Sequence, residues 1–143
     1  MSTSPLQFPP DPALLRRIRN DARERAAAVG ADENACDAVA LVVDELVNNA
    51  IEHGAAYRSK GSDLSVALGM DGQSVTVDFV DPEMPDNEVV ELARALRDAS
   101  SGMPSLDSER GRGLFLISIY MEELRVAVAD GGGLHLHGRL TKG

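Results

Sequence analysis

Apolar residues recur at helical spacing over two long stretches near the start of the chain and then switch to alternation, which predicts two helices followed by a hairpin. Residues 6–8 predict a short strand emerging from a flexible start over 1–10. Asp11, followed by Pro12, signals a helix start. Leu14, Leu15, Ile18, Ala22 and Ala26 form the stripe of that helix to about Val29, where Gly30 offers a left-handed stop. Asp32 caps a second, longer helix that ends near Gly54, and 57–62 reads as a polar connection. Residues 63–70 and 74–81 alternate around Asp71-Gly72, a two-residue hairpin signal. Pro82 and Pro85 end the second of these strands, and 87–98 predicts a third helix. A Ser-, Gly- and Pro-rich loop over 99–112 leads into a helix over 113–121. Residues 124–129 and 134–140 form a closing hairpin across Gly131-Gly132-Gly133. This order predicts an α+β fold, a two-layer α/β sandwich in which a mixed, mostly antiparallel sheet carries helices on one face. No repeat or second core divides the chain, so one domain over 1–143 is expected.

The second helix carries the candidate chemistry. Glu45, Asn49 and His53 stand at i, i+4 and i+8 and share a face, although consecutive asparagines (Asn48, Asn49) are poor helix formers. A carboxylate four residues before a carboxamide can orient or deprotonate a hydroxyl, while the amide oxygen is a hard ligand for Mg²⁺. The same residues, with Asp44, Asn48 and Glu52, also make an ordinary solvated helix face. Further on, Gly111-Arg112-Gly113 precedes the apolar run Leu114-Phe115-Leu116-Ile117. Glycines at a helix start let backbone N–H groups approach an anion, and the helix dipole favours negative charge there. Arg110 and Arg112 read either as phosphate contacts or as solvated loop arginines.

Residues 45–53 (Glu-Leu-Val-Asn-Asn-Ala-Ile-Glu-His) and 111–117 (Gly-Arg-Gly-Leu-Phe-Leu-Ile) together resemble the histidine-kinase-like ATPases of the GHKL superfamily. In size and layout the chain is similar to the small bacterial anti-sigma factor serine/threonine kinases. The resemblance implies ATP and Mg²⁺ as cofactors, with Glu45 as general base and Asn49 as the metal ligand at the nucleotide. It implies that Gly111, Arg112, Gly113 and Leu114 belong to the phosphate-binding segment, that 99–112 is an ATP-lid-like loop, and that Asp81 reads the adenine amino group. It further implies an antagonist of the sulfate-transporter/anti-sigma-antagonist (STAS) type as phosphoacceptor, a sigma factor or other effector as the sequestered target, and pairing of two copies. A binding-only member that sequesters its partner without phosphoryl transfer is the alternative.

Two segments depart from the family pattern. Where Asp-x-Gly-x-Gly is expected, the chain has Asp81-Pro82-Glu83-Met84-Pro85, and Glu83 is expected to bring bulk and negative charge near an anionic ligand. Where a Gly-Thr is expected before the last strand, Gly131-Gly132-Gly133-Leu134 has no hydroxyl. The elements that grip adenine are altered and those for metal and phosphate are kept.

Composition narrows the partners. A formal charge of −9 disfavours nucleic acid and suits proteins with basic patches. The single cysteine, Cys36, falls on an apolar helical stripe and reads as buried filler rather than a reactive thiol. No run reaches membrane-spanning length and no signal-peptide pattern opens the chain, so a cytoplasmic protein without membrane contact is expected. His135 and His137 share a strand face but lack a third ligand in sequence, and no zinc pattern, catalytic triad or P-loop is present.

Overall fold

Alternating burial along the strands builds a single sheet, seen in a computed structural model that describes residues 4–101 and 109–140. The strands are β1 (Leu6–Phe8), β2 (Leu64–Asp71), β3 (Ser74–Asp81), β4 (Met121–Val128) and β5 (Leu134–Leu140), in the order β1-β2-β3-β5-β4. All four pairings are antiparallel, so among the described residues the sheet is antiparallel throughout rather than mixed. The helices are α1 (Leu15–Ala28), α2 (Glu33–Gly54), α3 (Asp86–Ser100) and α4 (Glu109–Tyr120). Their apolar stripes share one core with the inner face of the sheet, which confirms the two-layer sandwich. Across that face Val66 sits opposite Phe79, and Phe79 opposite Leu136, forming a buried row over three strands. Each such side chain contributes about 1.5–3 kcal/mol by leaving water.

Local chemistry explains most boundaries. The Asp11 Oδ1 accepts the Ala13 N–H at 2.9 Å, although the first turn, Pro12–Leu14, is 3₁₀ rather than α. After α1, Gly30 takes φ +106°; its N–H reaches the Ala27 carbonyl, and the Ala31 N–H reaches that of Ala26. This reciprocal pair closes the orphan carbonyls of the helix end. The Asp32 Oδ1 then accepts the Ala35 N–H at 2.8 Å and starts α2, roughly 33 Å long. In the β2–β3 hairpin Asp71 pairs with Ser74, so the two turn residues are Gly72 and Gln73, one position later than the Asp71-Gly72 signal. Gly72, at φ +64°, occupies the first turn position, where a positive φ matches the strand twist.

One boundary moved for a tertiary reason. The helix expected from Gly113 already begins at Glu109, which places Gly111 and Gly113 inside α4 rather than ahead of it. Two interior glycines cost a helix roughly 1 kcal/mol each. Burial of Leu114 and Ile117 in the core offsets that cost. Half of the expected ATP-lid-like loop over 99–112, residues 102–108, lies outside the described residues, and its two ends belong instead to α3 and α4; the first three residues of the expected flexible start also lie outside. No helix among the described residues is long and apolar enough to cross a membrane.

Candidate functional site

Packing of α4 on α2 brings the two sequence motifs together. Glu45, Asn48, Asn49, Glu52 and His53 of α2 line one small void with Gly113 and Leu114 of α4. A Cβ on Gly113 would stand 2.5 Å from the Glu45 Oε2, so the missing side chain is what lets the carboxylate fit against α4. Asn49 is half-buried on this face, and its Oδ1 is buried without a hydrogen-bond partner among the described residues. An orphaned amide oxygen four residues from a carboxylate fits a hard divalent cation, so these residues suit Mg²⁺. Leu114 is buried, Gly111 is half-buried, and Arg112 is exposed on α4. The side chain of Arg110 lies outside the described residues. The void itself measures only about 10 Å³, room for about one water.

The base end of the site is organised differently from the expectation. Alternation along β3 puts Val77, Phe79 and Asp81 on the core face, so Asp81 is fully buried, with 0 % exposure. Its neutralisation comes from Arg58, a residue of the segment read as a polar connection. The Arg58 Nη1 donates to the Asp81 Oδ1 at 3.0 Å and its Nη2 to the Oδ2 at 2.8 Å. The Tyr57 hydroxyl donates to the same Oδ2 at 2.8 Å, and the Glu83 N–H to the Oδ1 at 3.2 Å. A carboxylate has about four acceptor positions, and here all are used. Arg58 also donates to the Ala50 carbonyl at 3.2 Å, lies 5.3 Å from the Tyr57 ring centroid, and fills space left by the absent Cβ of Gly54. The hydrogen bonds to Asp81 hold the Arg58 guanidinium above its ordinary pKa. Burial, together with the bond to Asp81, pushes the Tyr57 hydroxyl well up and keeps it protonated. In this arrangement Asp81 has no acceptor left for an adenine amino group.

Glu83 corrects a second expectation. Its carboxylate faces the chain's own backbone, accepting the N–H groups of Lys60 at 2.6 Å, Ser59 at 3.0 Å and Ser62 at 3.0 Å. It also pairs with Arg58 at 3.5 Å, so its charge is spent on the 58–62 loop rather than projected at a ligand. The Lys60 N–H above all, then those of Ser59 and Ser62, hold the Glu83 carboxyl below its ordinary 4.5. A depressed folded-state pKa gives stability that is present above the unfolded value and lost as pH falls through the folded one. Wild-type stability should therefore decline below pH 4.5, and Glu83→Gln should flatten part of that decline. Urea melts from about pH 3 to 6 test this; parallel wild-type and variant curves would rule it out.

Gly133 secures the other flank. It is buried at φ +91°, and a Cβ there would lie 2.7 Å from both the Asp81 carbonyl oxygen and the Pro82 Cα. Both neighbours are backbone and cannot swing aside. Gly133→Ala is expected to destabilise by about 1–3 kcal/mol, read as a lower melting temperature, whereas Gly132→Ala, at φ +99° with open space, bears only the backbone strain.

Two features lie away from this site. A cleft of about 630 Å³ is bounded by Asp32, Asn34, Met70, Tyr120 and Leu140, roughly 20 Å along α2 from Glu45. On the open face of the sheet His135 Nε2 and His137 Nδ1 both bond the Asp78 Oδ1 at 2.8 Å, and all three are partly exposed. Among the described residues no group of three His, Cys, Asp or Glu is placed to hold a metal ion.

Sequence alone did not single out Tyr57 and Arg58. Arg58 is one cation in a polar stretch, and its carboxylate partners are 23 and 25 residues away. The only available signal was the pair of carboxylates in 81–83, one of them fated for the core by alternation and so in need of a cation.

Comparison with known proteins agrees with this architecture. The histidine kinase-like ATPase domain family matches residues 8–137. The crystal structure of the RsbU and RsbW domains of Rv1364c from Mycobacterium tuberculosis is similar at a TM-score of 0.59 and 22 % identity, over 96 % of this chain. This chain spans only 32 % of that longer protein. The SiaB–SiaC complex from Pseudomonas aeruginosa is similar at a TM-score of 0.68 and 17 % identity, over 94 % of this chain and 88 % of that one. At these identities both likenesses establish the fold. With the family match covering 8–137, the chain belongs to the histidine kinase-like ATPase domain family.

Proposed function

We propose that this chain is an anti-sigma-type regulatory serine/threonine protein kinase. It binds ATP·Mg²⁺ between α2 and α4, phosphorylates a STAS-type anti-sigma-factor antagonist, and sequesters a sigma factor or other effector. The observation that carries the reading is the meeting of Glu45 and the orphaned Asn49 Oδ1 with Gly113, two segments more than sixty residues apart in the chain. Glu45 accepts the proton of a serine or threonine hydroxyl presented by the partner. Asn49 holds the metal, and Gly111, Arg112, Gly113 and Leu114 line the phosphate side. When bound, ATP·Mg²⁺ supplies the phosphoryl group and a counter-charge for it. Membership of the ATPase family supports the nucleotide, and the SiaB–SiaC complex and the RsbW domain of Rv1364c are precedents of fold for the partner. A charge of −9 favours partners with basic patches. Phosphate added to the antagonist changes which partner is held, because the new charge alters relative affinities. A paired form of two copies is part of this reading.

A second reading, a binding-only member, draws support from the filled acceptors of Asp81 and the narrow void beside Glu45. Melting the protein with and without ATP and Mg²⁺ separates the two. A ligand at 100 times its dissociation constant adds about 2.7 kcal/mol. Asn49→Leu sharpens the comparison. It removes a buried oxygen that has no partner among the described residues, so unliganded stability should hold or rise, while stabilisation by ATP·Mg²⁺ should disappear. No shift for the wild type at millimolar nucleotide would favour the binding-only reading.

A further inference from the structure

Resting on the nucleotide reading above, we infer that Arg58 and Glu83 close the base end of this site, so that the chain holds a magnesium-bound triphosphate by its phosphates and metal without reading the base. Asp81, the fully buried carboxylate at that end, already accepts four hydrogen bonds from Arg58, Tyr57 and the Glu83 backbone. An amino group from a base brings a single neutral donor, in exchange for a bidentate charged pair that is twice as strong bond for bond. Arg58 cannot leave alone at small cost. Its departure strips Asp81 of its counter-ion at 0 % exposure and frees the Ala50 carbonyl. Glu83 resists the same movement by pinning the loop that carries Arg58 through three backbone N–H groups. Gly54 contributes the space in which the guanidinium lies. The opposite end of the site is the reverse case, because the Asn49 Oδ1 has no partner among the described residues and gains one from a metal. Arg58 is thus the residue that sets base specificity, by removing it.

The test is binding of ATP, GTP and inorganic triphosphate, each with Mg²⁺, to the full chain, followed by calorimetry or melting shift. For the wild type the three affinities should agree within about threefold, below the roughly tenfold that one hydrogen bond to a charged group commands. Arg58→Ala should restore an ATP preference over GTP of about tenfold or more, by releasing Asp81 as an acceptor. Should Arg58→Ala fail to fold, Glu83→Ala, which unpins the loop that carries Arg58 and lets the guanidinium withdraw from Asp81, should shift the ratio in the same direction by a smaller factor. A wild type that prefers ATP tenfold over both competitors overturns the inference and leaves the nucleotide reading standing. Binding of ATP by Arg58→Ala alone overturns it too, since the phosphate end would then hold nothing by itself. No binding by any form removes the nucleotide reading and the inference with it.

Discussion

Glu45→Gln is expected to lower phosphoryl transfer to a partner serine or threonine by roughly 10²- to 10⁴-fold, with the fold and metal–nucleotide binding retained. The amide keeps the size of the carboxylate in a place that has no slack, since even a methyl group on Gly113 would fall 2.5 Å from the Glu45 Oε2. What it loses is the ability to take a proton. The defect should therefore appear in kcat, with the nucleotide affinity measured in melts unchanged. Transfer within threefold of wild type would take Glu45 out of the chemistry and leave it a packing residue of the α2–α4 contact. Gly113→Ala provides a contrasting failure. It should impair the same reaction by pushing Glu45 out of position, and Glu45→Gln should add little on top of it.

Arg58→Ala is expected to destabilise the fold by about 3–5 kcal/mol, which for a chain of this size lowers the melting temperature by roughly 10 °C or more. The Arg58 side chain is 10 % exposed and that of Asp81 0 %, so the variant leaves a carboxylate in the core with only Tyr57 and one backbone N–H. Removing both charges should be milder than removing one. Arg58→Met combined with Asp81→Leu is expected to recover much of the loss, because apolar side chains of similar volume replace a buried pair at little cost. Losses that simply add in the double variant would mean that the two residues are not coupled, contrary to their paired bonds of 3.0 and 2.8 Å.

These two expectations mark where the sequence was legible and where it was not. Among the described residues periodicity located each helix and strand, because each buries one face and the period of 3.6 or 2 shows which, although β4 starts at Met121 rather than at 124. Caps at Asp11, Asp32 and Gly30 were readable since they satisfy backbone groups locally. Family resemblance grouped Glu45 and Asn49 with Gly113, and in the structure these residues line one void where α2 packs on α4. The start of α4 was misjudged because glycine propensity is local, while burial of Leu114 and Ile117 is decided by the whole core. Arg58 and Glu83 were hidden for the same reason. The need for a cation at Asp81 follows from alternation, but which cation answers it depends on how the 58–62 loop folds back over β3.

A crystal structure of the chain with Mg²⁺ and a non-hydrolysable triphosphate tests directly whether Asn49 and the start of α4 hold the metal and phosphates. The metal should lie roughly 2.0–2.1 Å from the Asn49 Oδ1, with the phosphates between α2 and the glycine-bearing start of α4. A triphosphate seated instead in the cleft beside Asp32 and Tyr120, or a metal with no contact to Asn49, would contradict it.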